Sequence, residues 1–508
     1  MKKLYTIVSL MLSSLSIMAT DFKDCSMAIK SNISTNIEKS NTTVFINGNT
    51  FSINGLKYDN TDLGNVELTN LQVINGYSDG TMVYATSEPQ YITIGGEKVA
   101  ANFRGEVRNS KFRGILNLTV NGSNYIAMIG DKADELGQLP NAGFEEFHTA
   151  TVTIKDLLAP SGTFKSDEPN SWHSFQSATG SKKQYVGSSI DTYKEDNDKR
   201  TGSTDKRCVK IQSSIVKVVG IEKPANGTMT TGRLYAGSTS ATNKANNSTM
   251  DFADKDKDGK GDPFYPIFTT KPDAMTVWVK FKGNVKEHPY ATVKAILAND
   301  KVQDPEKDDY KKNVIARATN EQIKSNNFAW QELNIPFKYE NKNTPKGMLV
   351  TISTNREAGK ASSDKNNLDV IYVDDIAMIY NSGLKSAQYK NTNLSFADNK
   401  AAIEIEGKAN EADFSIVSDG EGAYISKVLK TNEGETGKST LYITITSNDL
   451  QKSNCFEVAI TDNTATGIFN IKSDSNATSS TLYNLAGQQV SNSYKGIIIK
   501  NGKKYINK

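Results

Sequence analysis

Asn-Gly and Asp-Gly pairs recur at positions 47–48, 54–55, 75–76, 79–80 and 121–122, each set among short runs rich in β-branched and aromatic residues such as Val44-Phe45-Ile46 and Phe51-Ser52-Ile53. A two-residue type I′ turn needs φ > 0 at both centres, and Asn-Gly meets that demand at low cost, so such pairs between alternating segments predict β-hairpins. Period-two alternation continues through nearly every later segment. The chain is therefore predicted to be all-β.

At 508 residues the chain is too long for one hydrophobic core, and about 150 residues per domain gives roughly three or four units. The region 35–135 reads as an antiparallel sheet closed into a barrel or sandwich, ending in strands over 112–118 and 124–129. Periodicity weakens from Leu136 to Thr149, which predicts a linker. A second β-rich region runs over 145–381, and a third, 384–464, has the size and short strands of an immunoglobulin-like sandwich. These units are expected as modules in a row.

Lys+Arg 60 against Asp+Glu 57 is nearly balanced, and no concentrated basic face is visible, which argues against nucleic acid as a partner. Cys25, Cys208 and Cys455 are far apart and odd in number, which excludes a disulfide framework. Lys2 and Lys3 precede an apolar run from Leu4 to Met18 that ends at Ala19, the order of a cleaved secretory signal peptide over residues 1–19. The run is too short to span a bilayer and no second one follows, so no transmembrane segment is expected.

The hairpin pattern of 35–135 resembles the calycin-like β-barrel domains of secreted bacterial proteins. Within 145–381, Asn170-Ser171-Trp172-His173-Ser174-Phe175, Lys271 to Phe281, Trp330 to Phe337 and Val370 to Ile376 are similar, in this order, to the carbohydrate-metabolism domain of the same proteins. That resemblance implies a jelly roll like those of carbohydrate-binding modules. The final stretch, Leu482-Tyr483-Asn484-Leu485-Ala486-Gly487 and Lys495-Gly496-Ile497-Ile498-Ile499-Lys500, resembles the C-terminal sorting domains read by the type IX secretion machinery, here over 467–508. It implies delivery to the outer cell surface or the medium.

An apolar sugar face stacks on an indole or phenol while neighbouring polar groups bond its hydroxyls. All three Trp lie in 145–381. Trp172, in an Asn- and Ser-rich stretch, is the first candidate for glycan contact, with the adjacent His173 as a partner for a sugar hydroxyl, followed by Tyr185 and Tyr235. Trp278 is a further candidate, although alternation leaves open which face of its strand is core. Trp330 is expected in the core. Asp254, Asp256, Asp258, Lys260 and Asp262 form a DxDxDG-type loop with Gly259 at its sixth position, a set that could hold a structural calcium, although Tyr265 stands where an EF-hand places its bidentate Glu. His148, His173 and His288 have no zinc-site spacing. Asp374-Asp375 are set on a strand, and no partner carboxylate is selected for them.

The leading reading is an exported, non-catalytic protein that binds glycan or polysaccharide through 145–381, with the other β domains as spacers. A glycoside hydrolase and a surface adhesin or structural protein are the alternatives.

Overall fold

The computed structural model describes residues 20–200, 202–465, 481–500 and 503–507. Strands make up 54% of the described residues and helix 4%, so the observed class is all-β and multidomain. The signal-peptide reading falls on residues outside this set, as do 467–480 of the sorting segment. No helix among the described residues is long and apolar enough to cross a membrane.

The first unit is a ten-stranded antiparallel sheet that begins at Thr20, upstream of the predicted start at 35. Its first strand, Thr20–Ser31, is central and pairs on both sides, with Ser34–Asn47 and with Ser123–Ile129. Alternation hides it because the register shifts between Phe22 and Cys25, where Asp24 has φ 54°, so the inward Phe22 falls out of phase with Met27 and Ile29. The sheet rolls around a core that includes Val44, Phe51, Ile53, Phe103, Leu116 and Leu118. Rolling brings the strand Thr61–Leu68 beside Gln90–Ile94, with Ile94 Cγ2 3.6 Å from where a Gly64 Cβ would stand, but no ladder joins those two strands.

The hairpin signals divide in the structure. Asn121 and Gly122 have φ 47° and 80° between the paired Val120 and Ser123, as the turn type requires. Gly55, at φ 65°, lies instead inside the strand Thr50–Tyr58, where the register shifts between Ile53 and Leu56 and makes a bulge.

The second unit is a sandwich of two five-stranded antiparallel sheets. One, here the aromatic sheet, runs Thr192–Glu195, Cys208–Gln212, Val370–Ile379, Ala274–Lys282, Gln331–Pro336 in spatial order. The other, the groove sheet, runs Thr228–Thr230, Gly347–Ser353, Ala291–Ala298, Val314–Ile323, Lys338–Tyr339. Val277, Val279 and Phe281 from the first sheet meet Val293, Ala295, Leu297, Val350 and Ile352 from the second in one fully buried core. Alternation then forces Trp278 and Lys280 to the outer face.

A third unit pairs a three-stranded and a four-stranded sheet around Phe414, Leu441, Ile443 and Val458, with Lys400–Ile405 running parallel to Ser453–Asp462. A four-stranded sheet from Leu482–Asn484, Gln489–Val490, Gly496–Lys500 and Lys503–Asn507 follows. All three cysteines are unpaired.

The first three units are not strung out as a row of modules. The rolled sheet buries both faces of Glu97–Arg108 and Lys111–Val120, the inner face in its own core and the outer face against the other units. Arg104, 5% exposed, donates from Nη1 to Thr269 O at 2.9 Å and to Thr269 Oγ1 at 2.8 Å. Asn117 Nδ2 donates to Leu450 O at 3.1 Å, and Tyr424 OH donates to Thr86 O at 2.9 Å. Ile115, Ile126, Leu136, Tyr424 and Leu450 close an apolar cluster across that seam.

Candidate functional site

The outer face of the groove sheet changes character along its strands. At one end Ile296, Ala298 and Leu349 pack under Met250 and Phe252 and against Ile74, Tyr77 and Val83 of the rolled sheet. At the other end the same face carries Thr292, Lys294, Thr351 and Ser353, and these form the floor of an open groove of about 760 Å³. The hairpin Ser214–Val218/Ile221–Ala225 and the short helix Lys183–Val186 stand on one side, and the hairpin Arg233–Ala236/Asn246–Met250 on the other.

Tyr185 and Tyr235, both predicted for sugar contact, meet at this groove. Tyr185 is buried, packed with Val216 and Val218 into one wall. Tyr235 is 42% exposed, and no aromatic or cationic group among the described residues lies over its ring. Tyr235 is thus an exposed aromatic of the lining, with Cε1 3.1 Å from where a Gly237 Cβ would stand. Around it the lining is rich in hydroxyl and amide groups, including Asn226, Asn246, Asn247 and Asn355. Thr351 Oγ1 and Asn226 Oδ1 are buried without a hydrogen-bond partner among the described residues. An unmet buried polar atom costs about 1–3 kcal/mol, which a hydroxylated ligand or water reaching the floor would relieve. Asn226, Lys294 and the Thr/Ser floor residues are absent from the sequence-based candidates. Their signal was polar alternation opposite a core face, which also fits any solvated strand.

The leading sequence candidates stand elsewhere. Trp172 is 0% exposed, its ring 5.2 Å from that of Phe144, and its Nε1 donates to Pro140 O at 3.1 Å. The polar neighbours that suggested exposure serve a turn: Ser171 has φ 67°, and Trp172 N donates to Pro169 O, which drops the indole into the end of the core. His173 is also wholly buried; Nδ1 donates to Gly232 O at 2.6 Å and Nε2 faces Asp258 Oδ2 at 3.3 Å. Neither residue can touch a sugar in this arrangement.

Trp278 does lie on a solvent-side face, that of the aromatic sheet, but the Arg200 guanidinium sits over its ring at 5.0 Å. Trp330, expected in the core, is half-buried on the same face; its Nε1 donates to Asp198 Oδ1 at 3.2 Å and its ring meets Tyr372 edge-on. Lys280 pairs with Asp198 at 2.5 Å and covers Phe328 and Tyr372. These rings are already engaged by their neighbours.

The DxDxDG loop takes protein partners. Asp258 Oδ1 accepts from the backbone amides of Lys260, Gly261 and Asp262 at 2.9, 2.8 and 2.8 Å. Burial opposes ionisation of Asp258, but hydrogen bonds from His173 and from the Asp262 amide hold its carboxyl down at about 2. Arg233 pairs with Asp256 at 2.6 Å and with Asp254 at 3.5 Å, while Asp262 Oδ2 accepts from Ser171 at 3.3 Å. The loop carboxylates are thus distributed over separate partners and do not converge as the expected calcium set. Among the described residues the group that brings three ligand atoms within 4.8 Å of one another is Asp205, Asp374 and Asp375. Asp374 is buried with Oδ2 unpartnered, and Asp375 pairs with Arg200. Burial and the neighbouring Asp375 and Asp205 charges raise Asp374 to about 7; burial, with a hydrogen bond and charge repulsion from Asp375, raises Asp205 to about 6.

A second hollow of about 680 Å³ on the rolled sheet, at Met27, Lys39, Met128 and Lys132, has no aromatic lining. Searches of the chain against protein-family models, curated proteins and solved structures return no match.

Proposed function

We propose that this chain is an exported, non-catalytic glycan-binding protein whose central sandwich holds polysaccharide in the groove beside Tyr235. The observation that carries the reading is a half-exposed phenol ring, with no aromatic or cationic group among the described residues laid over it, beside a trough of hydroxyl and amide groups. A sugar ring stacked there would exchange apolar contact with the phenol while its hydroxyls met the Asn, Ser and Thr side chains. The resemblance of 145–381 to a carbohydrate-metabolism domain points the same way. So does the pairing of a signal peptide over 1–19 with a type IX sorting segment over 467–508, which would deliver the groove to the outer cell surface or the medium.

The groove lining holds one carboxylate, Asp304, and its Oδ1 lies 3.5 Å from Lys294 Nζ. Glycoside hydrolysis normally needs two carboxyl groups flanking the scissile bond, so the lining favours binding over cleavage. The test is affinity electrophoresis of the full chain in gels containing a panel of polysaccharides, with reducing-sugar release followed in parallel. Retardation that Tyr235→Ala removes is expected, without sugar release. Retardation by none of the polymers would refute the glycan reading, and sugar release abolished by Asp304→Asn would replace binding by hydrolysis.

A further inference from the structure

We infer that the groove selects polysaccharides bearing negative charge, whether uronate carboxylates or sulfate esters. The inference rests on the glycan reading of the same groove and names its ligand class. The whole chain is almost electrically balanced, yet the charged residues lining the groove are Lys182, Lys223, Lys294, Arg356 and Lys360 against Asp304 alone.

The paired cations can be set aside. Lys294 is held between Asp304 at 3.5 Å and Glu321 at 2.8 Å, and Arg356 lies against Glu357 at 2.5 Å. Lys182, Lys223 and Lys360 have no ion-pair partner among the described residues. The acid next to Lys223, Glu222, is engaged by Lys365 at 2.6 Å. The three free ammonium groups come from different elements: Lys182 precedes the helix Lys183–Val186, Lys223 lies on Ile221–Ala225, and Lys360 lies in the loop after Gly347–Ser353. They therefore rim one trough rather than marking one solvated strand.

Like charges gathered around a concavity focus its field and raise the local concentration of counter-charged ligand. An ammonium is a compact point charge with three donors, which suits a carboxylate or sulfate in several orientations along a polymer. The tyrosine then supplies the ring contact and the lysines the preference among sugars.

Two matched polymer pairs isolate charge from sugar chemistry: polygalacturonate against its fully methyl-esterified form, and dextran sulfate against dextran. The full chain is expected to be retarded by at least one charged member about tenfold more strongly than by its neutral counterpart, with the preference fading as NaCl rises from about 50 to about 500 mM. The pair that shows the effect tells carboxylate from sulfate. Lys182→Gln/Lys223→Gln/Lys360→Gln should abolish the preference without shifting the melting temperature, whereas Lys57→Gln/Lys312→Gln/Lys385→Gln, remote from the groove lining, should leave it intact. Equal retardation by charged and neutral members, or by neutral polysaccharides alone, would overturn the charge preference and leave the glycan reading standing. An equal loss in both triple variants would overturn the groove as its source. Retardation by no polymer at all would bring down the underlying reading.

Discussion

On the aromatic sheet, Trp278, Trp330 and Tyr372 all face outward, and each has a neighbour laid against its ring: Arg200 over Trp278, Trp330 and Phe328 edge-on to Tyr372. Over the opposite sheet Tyr235, on the hairpin that flanks the groove, is exposed with no aromatic or cationic group among the described residues laid over its ring. The face with more rings is thus the one with fewer available. What distinguishes a ligand platform from a surface stabilised by its own side chains is whether the π-face has already been satisfied. Counting tryptophans by region does not measure that.

A ring on neither face sets the upper end of the scale. Trp172→Ala empties a site in the shared core and removes the partner of Pro140 O, so it should destabilise the chain by about 3–5 kcal/mol, read from urea unfolding. A cost below about 1 kcal/mol would place the indole outside the core. Next, Tyr235→Ala should weaken retardation by polysaccharide about tenfold or more, the loss of about 1.5–3 kcal/mol of ring burial, while leaving unfolding within about 0.5 kcal/mol of the parent chain. Trp330→Ala should do the reverse: about 1–2 kcal/mol of stability lost with the Asp198 hydrogen bond and the Tyr372 contact, and polysaccharide retardation unchanged. If Trp330→Ala abolished retardation and Tyr235→Ala did not, the roles of the two faces would be exchanged.

The smallest effect concerns the acid cluster at the edge of the aromatic face. Asp374 rises from 3.8 to about 7 and Asp205 from 3.8 to about 6 in the folded chain, so the folded state binds more protons than the unfolded state between those values. Stability from these groups is therefore present in acid and is lost as pH climbs through about 4 to 7. Melting temperatures should be lower at pH 8 than at pH 5 on their account, and Asp374→Asn should flatten the difference. An unaltered slope in that variant would show that other groups set it.

Much of the architecture was legible in the sequence because a strand's alternation records which face is wet. Thr276-Val277-Trp278-Val279-Lys280-Phe281 defines two faces, and the structure resolves them with the valines and Phe281 inside. The strand Thr20–Ser31 was illegible because a bulge reverses its phase. Of the aromatic candidates read from residue type, Tyr185 and Tyr235 line the groove, whereas Trp172 and His173 lie in the interior. Polar neighbours such as Asn170 and Ser171 signal a turn, and a turn can deliver the next side chain inward as readily as outward. The partners of the Asp-rich loop were illegible for a related reason. Spacing counts carboxylates, whereas Arg233, His173 and three backbone amides, distant in sequence or invisible as side chains, decide where their oxygens point. Free lysines around a groove are likewise undetectable until their acids are seen to be taken elsewhere.

The Arg104 side chain, reaching out of the rolled sheet to Thr269, together with the Tyr424 and Asn117 bonds across the other seam, makes this chain a poor donor of parts. A fragment cut at the apparent linkers would expose the apolar seam of Ile115, Ile126, Leu136, Tyr424 and Leu450 to water, so each piece would lose stability on its own. The three units are better regarded as one mechanical block, in which the groove keeps a fixed bearing relative to the rest of the molecule.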